Sequence, residues 1–379
     1  MTPTVTVLVP TYNRRLLLSR CLDSLLTQTH PPAQIVVVDD CSTDDTAEYL
    51  ASLGGRVQAL RPPRQGGKAA ALNFALPSVV GDVLWVFDDD DVAYPASVGR
   101  IAAAFAAHPS ASFVFGAKDV ADGLPDGSFG PVQWTLRSPD VRGHAVFPRL
   151  LEGCFLGAAR LAVRTSRARA VGGYSEALLR SQDYDFALRA TRGVSGEPIE
   201  GAEALFLFRR HDGVRGPAAD PHAEDQRRQR WLQYDQRIFQ RLRSELLLEE
   251  YAWCGDGKSA PLPQRALLLR RGLMMSRRQL FAELVEDLDA AANETPEQHL
   301  SADEQALLER IVFDQPYYDQ RALIEQPDAF ESVRRCVVRY SPYRAALRAI
   351  AIRRLKAAVR HRTGVAPAAT FRLLLQTLF

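Results

Sequence analysis

Short apolar runs and amphipathic stretches alternate along the first half of the chain. Residues 4–9, TVTVLV, are β-branched and apolar and predict a strand. A polar turn separates them from a helical stretch, Leu16 to Leu26. Ile35-Val36-Val37-Val38 predicts a second strand, and Ser42 to Leu53 a second helix. Val57–Leu60 predicts a weak third strand, and Gly66-Gly67 opens a helix from Lys68 to Leu76. Val83–Phe87 predicts a fourth strand, Pro95 to Ala107 the helix after it, and Ser112–Phe115 a fifth strand. Continuous apolar strands separated by helices predict an α/β domain whose mostly parallel sheet is covered on both faces.

After about residue 220 the pattern becomes helical, which divides the chain into an α/β domain over residues 1–220 and a helical region over residues 221–379. Trp231, Tyr234, Ile238 and Leu242 recur at helical spacing. Residues 255–261, GDGKSAP, predict a loop, and Ser301-Ala302-Asp303-Glu304 has the pattern of a capping box. Charge segregates here: residues 283–331 hold 14 Asp/Glu against 2 Arg, and residues 332–379 hold 11 Arg/Lys and no acidic residue. Packing of oppositely charged helices is the preferred reading. The sharper one lays Arg344, Arg348, Arg353, Arg354, Lys356, Arg360 and Arg362 on an anionic membrane, with Leu347, Ile350, Ile352, Leu355 and Val359 between them. The helical region is thus assigned to contact with an acceptor, a second copy of the chain (a homo-oligomer) or a membrane surface.

A content of 46% hydrophobic and 24% charged residues is that of a globular protein able to bury a core. The net charge of +2 gives no reason to expect nucleic acid as a partner. The N-terminus leads straight into a strand without a signal peptide, and no apolar stretch approaches the roughly 20 residues of a membrane span. Five scattered cysteines without metal spacing read as reduced thiols. The expected location is therefore cytoplasmic, or peripheral on the inner face of the membrane.

Polar clusters sit where the predicted strands end: Pro10-Thr11-Tyr12-Asn13, Asp39-Asp40-Cys41-Ser42 and Asp88-Asp89-Asp90-Asp91. In open α/β sheets ligands bind beyond the carboxyl ends of the strands. Four adjacent carboxylates repel one another, and a cation offsets that repulsion. Hard oxygen ligands suit Mg²⁺ or Mn²⁺ and leave coordination positions for phosphate oxygens. Asp40, or Asp39 beside it, is placed to accept a hydrogen bond from an imide N–H such as uracil offers. Asp near a helix start is also favoured by the helix dipole. Gly66-Gly67-Lys68 at a helix start presents N–H groups and an ammonium to an anion.

VLVPTYNR (7–14), IVVVDDCSTDDT (35–46), GGKAAALNFAL (66–76) and VLWVFDDDDVAYP (83–95) resemble the successive nucleotide-sugar motifs of the family 2 inverting glycosyltransferases. AVGGYSEALLRSQDYDFALRA (170–190) resembles that family's acceptor-side and catalytic-base region, and FRRH (208–211) its late Arg/His element. The resemblance covers residues 4–215 and implies a GT-A fold, a Rossmann-like, mostly parallel sheet. It also implies metal-dependent transfer of a sugar from a nucleotide-diphosphate donor, a UDP-sugar first, to a carbohydrate, lipid-linked or protein acceptor. Such transfer belongs to the synthesis of cell-surface polysaccharide, glycolipid or glycoprotein. A nucleotidyltransferase and a non-catalytic nucleotide-sugar-binding scaffold are the alternatives.

By resemblance Pro10, Tyr12 and Asn13 line the donor site, with the Tyr12 ring against the nucleobase. Lys68 and Asn73 face the nucleotide or its phosphates. Asp88 lies near the ribose with Asp89 beside it, and Asp90 is the metal ligand; the register one residue on would select Asp89 and Asp91. Asp183 matches the catalytic base, with Asp185 and Glu176 as the next carboxylates. Gln182 stands where the family usually has Glu, which lowers the local negative charge and favours ionised Asp183. His211 is implied as a further metal or diphosphate ligand, and Arg209 or Arg210 as a phosphate clamp. Gln226 to Trp231 is one residue longer than the Q-x-x-R-W element of processive polysaccharide synthases and reads as a surface helix anchored by Trp231.

Overall fold

The computed structural model describes residues 2–201, 203–210, 227–252, 262–296, 298–313 and 326–361. The chain divides into two compact units, one running to Arg227 and one beginning at Arg228.

The first unit opens with β1 (Val5–Thr11), α1 (Arg15–Leu26), β2 (Gln34–Asp39), α2 (Thr46–Ser52), β3 (Gln58–Leu60), α3 (Gly67–Ala75), β4 (Val83–Val86), β5 (Val92–Ala93) and α4 (Ser97–Ala107). Then follow β6 (Phe113–Phe115), β7 (Lys118–Asp122), β8 (Trp134–Leu136), α5 (Val146–Glu152), β9 (Leu161–Arg164), α6 (Thr165–Ala170), α7 (Gln182–Thr191), β10 (Gly196–Pro198) and β11 (Phe206–Arg210). The main sheet has the order β10-β6-β9-β4-β1-β2-β3. Its β4-β1-β2-β3 portion is parallel, while β9 runs antiparallel to both β4 and β6. The expected mostly parallel α/β sheet is present, each predicted strand falling within a residue or two of its place.

Alternation along β1 sends Val5, Val7 and Val9 into one core with Leu18, Leu22 and Leu25 of α1 and Ile101 and Phe105 of α4. Trp85 and Phe87 join that core, and the Trp85 indole donates to the Ala159 carbonyl at 2.8 Å, which satisfies its one polar atom. The alanine-rich α3 is outside that cluster and lies against β1 and β2.

Chain order creates the crevice. The chain steps from β1 to β2 and β3 on one side, then crosses to β4 on the other, so the strand order reverses beside β1. Pairing of β1 with β2 continues to Thr11↔Asp39, but pairing with β4 ends at Leu8↔Val86. Pro10, which has no N–H to give, lies just past that break. The ends of β1 and β4 are thereby free to diverge, with Thr11 to Asn13 on one side and the aspartate run on the other.

A second sheet, β5-β11-β7-β8, was not legible in the sequence. It is tied to the aspartate run by Arg209. The Arg209 N–H donates to Asp91 Oδ1 at 2.9 Å, and its guanidinium donates to the carbonyls of Asp90, Gly127 and Ser128.

The second unit is helical in its described residues, with helices Arg227–Glu245, Gln264–Arg277, Phe281–Glu294, Ala302–Phe313, Pro327–Arg339 and Ser341–His361. Tyr234, Ile238 and Leu242 are buried and Trp231 is half-buried, as the spacing predicts. The capping box forms: Ser301 N–H donates to Glu304 Oε2 at 2.8 Å and Glu304 N–H to Ser301 Oγ at 3.3 Å. Residues 255–261 and Gln226 lie outside the described residues, as do the side chains from Arg354 onward.

Arg265 and Glu304 form a buried bidentate pair, with bonds of 2.8 and 2.7 Å. Burial by itself raises a carboxyl, but here the bonds from Arg265 and Ser301 prevail and hold Glu304 below its ordinary value. Glu304→Gln is expected to destabilise this unit by about 3–5 kcal/mol, because Arg265 is left buried without its counter-charge. A depressed carboxylate contributes fully above its unfolded value of 4.5 and loses its contribution as pH falls through the lower folded value. Urea unfolding followed by helical circular dichroism should therefore show a large difference between the two proteins at pH 7 that shrinks below pH 4.5.

Candidate active site

The carboxyl ends of β2 and β4 bring six aspartates to one edge of the sheet beside the end of β1. Asp39 accepts from Ser42 N–H at 2.8 Å and pairs with Arg61. Asp40 is buried and accepts from Gly66 N–H at 2.8 Å and Gly67 N–H at 2.7 Å. The anion met by the start of α3 is therefore Asp40 itself. The Gly66 and Gly67 N–H groups are thus not offered to a ligand anion as expected, whereas each Asp40 oxygen keeps a second lone pair for a further donor. Each Asp40 oxygen is already engaged in shaping the loop that carries Lys68.

Within the aspartate run, burial alternates. Asp89 and Asp91 are buried, whereas the side chains of Asp88 and Asp90 are 25% and 14% exposed. Thr11 Oγ1 donates to Asp89 Oδ2 at 2.7 Å, and Arg14 bridges Asp89 Oδ1 and Asp90 Oδ2 at 3.0 Å each. Asp91 Oδ2 is buried without a hydrogen-bond partner. Burial pushes Asp89 up to about 6 even though Arg14 opposes it. Burial also raises Asp88 against the pull of Lys68, and lifts Asp91 well above the carboxylate range with help from Asp90 and Asp88. Burial is the largest cause of each rise, and neighbouring carboxylates add to it, so a bound cation would favour the ionised forms.

Lys68, in the first turn of α3, reaches across the crevice. Its Nζ donates to Asp88 Oδ1 at 2.7 Å and to Asp183 Oδ2 at 3.0 Å. Burial opposes its charge, but Asp183 and Asp88 hold the ammonium well above its ordinary value. Asp183 is the second residue of α7 and follows Ser181, whose φ of 54° turns the chain sharply into the helix. Asp185 is fully buried and paired with Arg189 at 2.7 Å, so it does not compete for the base position.

Tyr12 is 40% exposed just past β1. Asn13 adopts φ 51°, a left-handed conformation that Asn tolerates better than most residues, and its Oδ1 accepts from Thr43 N–H at 2.7 Å. Its own N–H donates to Ser42 Oγ at 2.9 Å. Asn13 therefore stitches the loops after β1 and β2 together.

Asn73 bonds the segment that leads to α7. Its Oδ1 accepts from Tyr174 N–H at 2.8 Å, and its Nδ2 donates to the Tyr174 carbonyl and to Glu176 Oε1 at 2.8 and 2.9 Å. The amide holds the segment at Tyr174 and Glu176, and both of its N–H donors are engaged there. Gly173 passes so close that a Cβ there would lie 2.4 Å from Asn73 Oδ1, and its φ of 67° also favours glycine. The phosphate-clamp expectation for Arg209 is likewise corrected, since its guanidinium is bonded to three carbonyls and lies over the Phe129 ring. Arg210 bonds Asp122 at 2.6 Å. His211 lies outside the described residues.

Two site residues were missed by sequence reading. Arg14 immediately follows the PTYN block, and a cation there was the available signal for a partner to the aspartates. Lys118 gave no signal, because its strand was not predicted. It lies over the Phe208 ring at 3.6 Å, and burial lowers its ammonium despite the attraction of Asp91.

Among the described residues, no three His, Cys, Asp or Glu side chains converge as a ready-made metal cage. The donor set nevertheless fits a hard divalent cation. Asp88 and Asp90 are partly exposed carboxylates beside the unpartnered Asp91 Oδ2, and a site with few protein ligands suits Mg²⁺ or Mn²⁺ completed by phosphate oxygens.

Residues 6–132 match the family model "Glycosyl transferase family 2". An uncharacterized glycosyltransferase of Haemophilus influenzae is 25% identical over 201 residues, covering 53% of this chain and 66% of the relative. A putative teichuronic acid biosynthesis glycosyltransferase of Bacillus subtilis, TuaG, is 35% identical over 92 residues, covering 24% of this chain and 36% of the relative. The chain thus spans less than two thirds of the length of these curated relatives. Among solved structures, S. aureus TarS 1-349 in complex with UDP-GlcNAc shares the fold with a TM-score of 0.52 and 17% identity, over 88% of this chain and 92% of that one. The sheet topology is that of a GT-A-type fold, and within it residues 6–132 are similar to family 2 glycosyl transferases.

Proposed function

We propose that this chain is a metal-dependent, inverting glycosyltransferase that moves a sugar from a nucleotide-diphosphate donor, a UDP-sugar first, to an acceptor hydroxyl. The observation that supports this most is the Lys68 ammonium shared by Asp88 and Asp183. It brings a donor-side carboxylate and the carboxylate matching the family's base to one crevice. TarS, which has the same fold, binds UDP-GlcNAc, and that favours a uridine nucleotide here.

Asp183 takes the proton of the acceptor hydroxyl as its oxygen attacks the anomeric carbon. The bond from that carbon to the diphosphate oxygen breaks on the opposite face, so the configuration inverts. The exposed Tyr12 ring stacks on the base, and Lys68 and Arg14 supply positive charge near the leaving phosphates. The partly exposed Asp88 and Asp90 favour the register in which Asp90 holds the cation and Asp88 lies near the ribose; Asp89 serves the site through Thr11 and Arg14. Mg²⁺ or Mn²⁺, when bound there, supplies Lewis-acid stabilisation of the leaving diphosphate.

In the helical unit, Tyr343, Leu347 and Ile350 are buried and Arg353 pairs with Glu309. That packing favours oppositely charged helices as the reason for the charge segregation. None of the described helices is long and apolar enough to cross a membrane. A peripheral contact with an anionic membrane would use the outward Arg344 and Arg348 with the exposed Ile352.

Incubation with a panel of nucleotide sugars and Mn²⁺ should release nucleotide diphosphate. Pyrophosphate release from a triphosphate would instead mark a nucleotidyltransferase, and binding without release a scaffold. Asp183→Asn should lower kcat by about 10²–10⁴-fold. Near-normal turnover with an intact fold would rule out Asp183 as the base.

Asp90→Asn and Asp91→Asn should separate function from fold. The first should nearly abolish Mn²⁺-dependent nucleotide binding with little change in thermal stability. The second loosens the bond to the Arg209 N–H and should cost about 1–3 kcal/mol in denaturant unfolding with a milder effect on binding. The reverse order would move the metal register by one residue.

A further inference from the structure

Asp183 shows neither carboxylate oxygen to an incoming acceptor hydroxyl. Oδ2 is held by Lys68 at 3.0 Å. Oδ1 is buried without a hydrogen-bond partner, and Asp183 lines a small cavity with Leu84, Val86, Leu161, Val163, Tyr174 and Phe186. A base in this arrangement is masked: the proton it must take has no free oxygen to go to until Lys68 moves.

Lys68 is placed to move. It stands in the first turn of α3, on a loop fixed by Asp40, and carries its ammonium on a flexible four-carbon stem. The same ammonium bonds Asp88, on the side of the crevice assigned above to the donor. A diphosphate brought to that side competes with Asp183 for one cation, and its negative charge favours the exchange.

We infer that Lys68 is a positioning residue that couples donor binding to exposure of the base: it masks Asp183 until the donor's phosphates draw the ammonium away. This deepens the proposed glycosyl transfer and rests on it. The coupling is reciprocal, as linkage requires. If a donor must take Lys68 from Asp183, then Asp183 weakens donor binding, and removing its charge strengthens it. A role for Lys68 in packing alone predicts no such gain. A role in phosphate binding alone predicts loss in Lys68 variants but no gain in Asp183 variants.

The test is a double-mutant cycle on UDP affinity, measured by titration calorimetry at fixed Mn²⁺ with the full chain. Asp183→Asn is expected to tighten UDP binding by about 5-fold or more. Asp183→Ala should do the same, which guards against a local effect of the new amide. Lys68→Met should weaken UDP binding, and in that background Asp183→Asn should change it by less than about 2-fold. Unchanged or weaker UDP binding in both Asp183 variants overturns the coupling, as does an Asp183 effect that survives in Lys68→Met. If the unaltered protein binds neither UDP nor GDP, the nucleotide-sugar reading fails first and the inference falls with it.

Discussion

Crowded negative charge at one edge of the sheet is the constraint on which the rest of this domain depends. Parallel β1, β2 and β4 end together, and their last residues put Asp39, Asp40 and Asp88 to Asp91 within one crevice. Such a set is tolerated only if each carboxylate is compensated. Arg61 answers Asp39, the N–H groups of Gly66 and Gly67 answer Asp40, and Arg14 spans Asp89 and Asp90. Lys68 answers Asp88, and the Arg209 backbone answers Asp91. Much of the surrounding architecture can be understood as the means of delivering those partners. The start of α3 is shaped around Asp40, and the second sheet is fastened through Arg209.

Compensation is incomplete, and the remainder is where chemistry resides. Asp89 and Asp91 are carboxyls raised by burial, and Asp91 retains an unpartnered oxygen. Partly exposed carboxylates crowded at one edge attract a cation, and a cation with open coordination positions attracts phosphate. Arg14 and Lys68, flexible cations bonded to carboxylates of the run, would each exchange a carboxylate for a phosphate oxygen in the proposed reaction. Binding a donor would then be a redistribution of ion pairs rather than the filling of a rigid mould. That view explains why Lys68 reaches a carboxylate on the acceptor side as well.

The side of the crevice that carries Asp183, proposed to face the acceptor, is organised by a different device. Asn73 clamps the backbone of Tyr174 from both directions, which sets the segment leading to α7 and so the height of Asp183 over the crevice. Tyr174 stacks on Phe186, with ring centroids 4.3 Å apart, and fixes the first turns of that helix. A residue resembling a donor contact thus works as a strut between the two halves of the site. Its small neighbour Gly173 is required by the same contact.

The sequence by itself determined the parallel core, because runs such as Ile35 to Val38 are too apolar and β-branched to be anything but buried strand. It also determined that Tyr12, Lys68, Asp88 to Asp91 and Asp183 belong to recognisable blocks, since local spacing records strand ends and helix starts. The second sheet was not legible: β5 and β8 have two and three residues, β8 is exposed throughout, and their partners are distant in sequence. Only the tertiary structure decided how polar side chains share partners. Asp40 looks equally suited to a ligand or to a backbone loop until the Gly66-Gly67 N–H groups are seen against it. Asn73 and Arg209 are likewise donors whose acceptors lie about a hundred residues away in sequence. Hydrogen bonds of that range leave no periodicity in a sequence. Burial decides them, because a polar group withdrawn from water must bond whatever the fold brings to it.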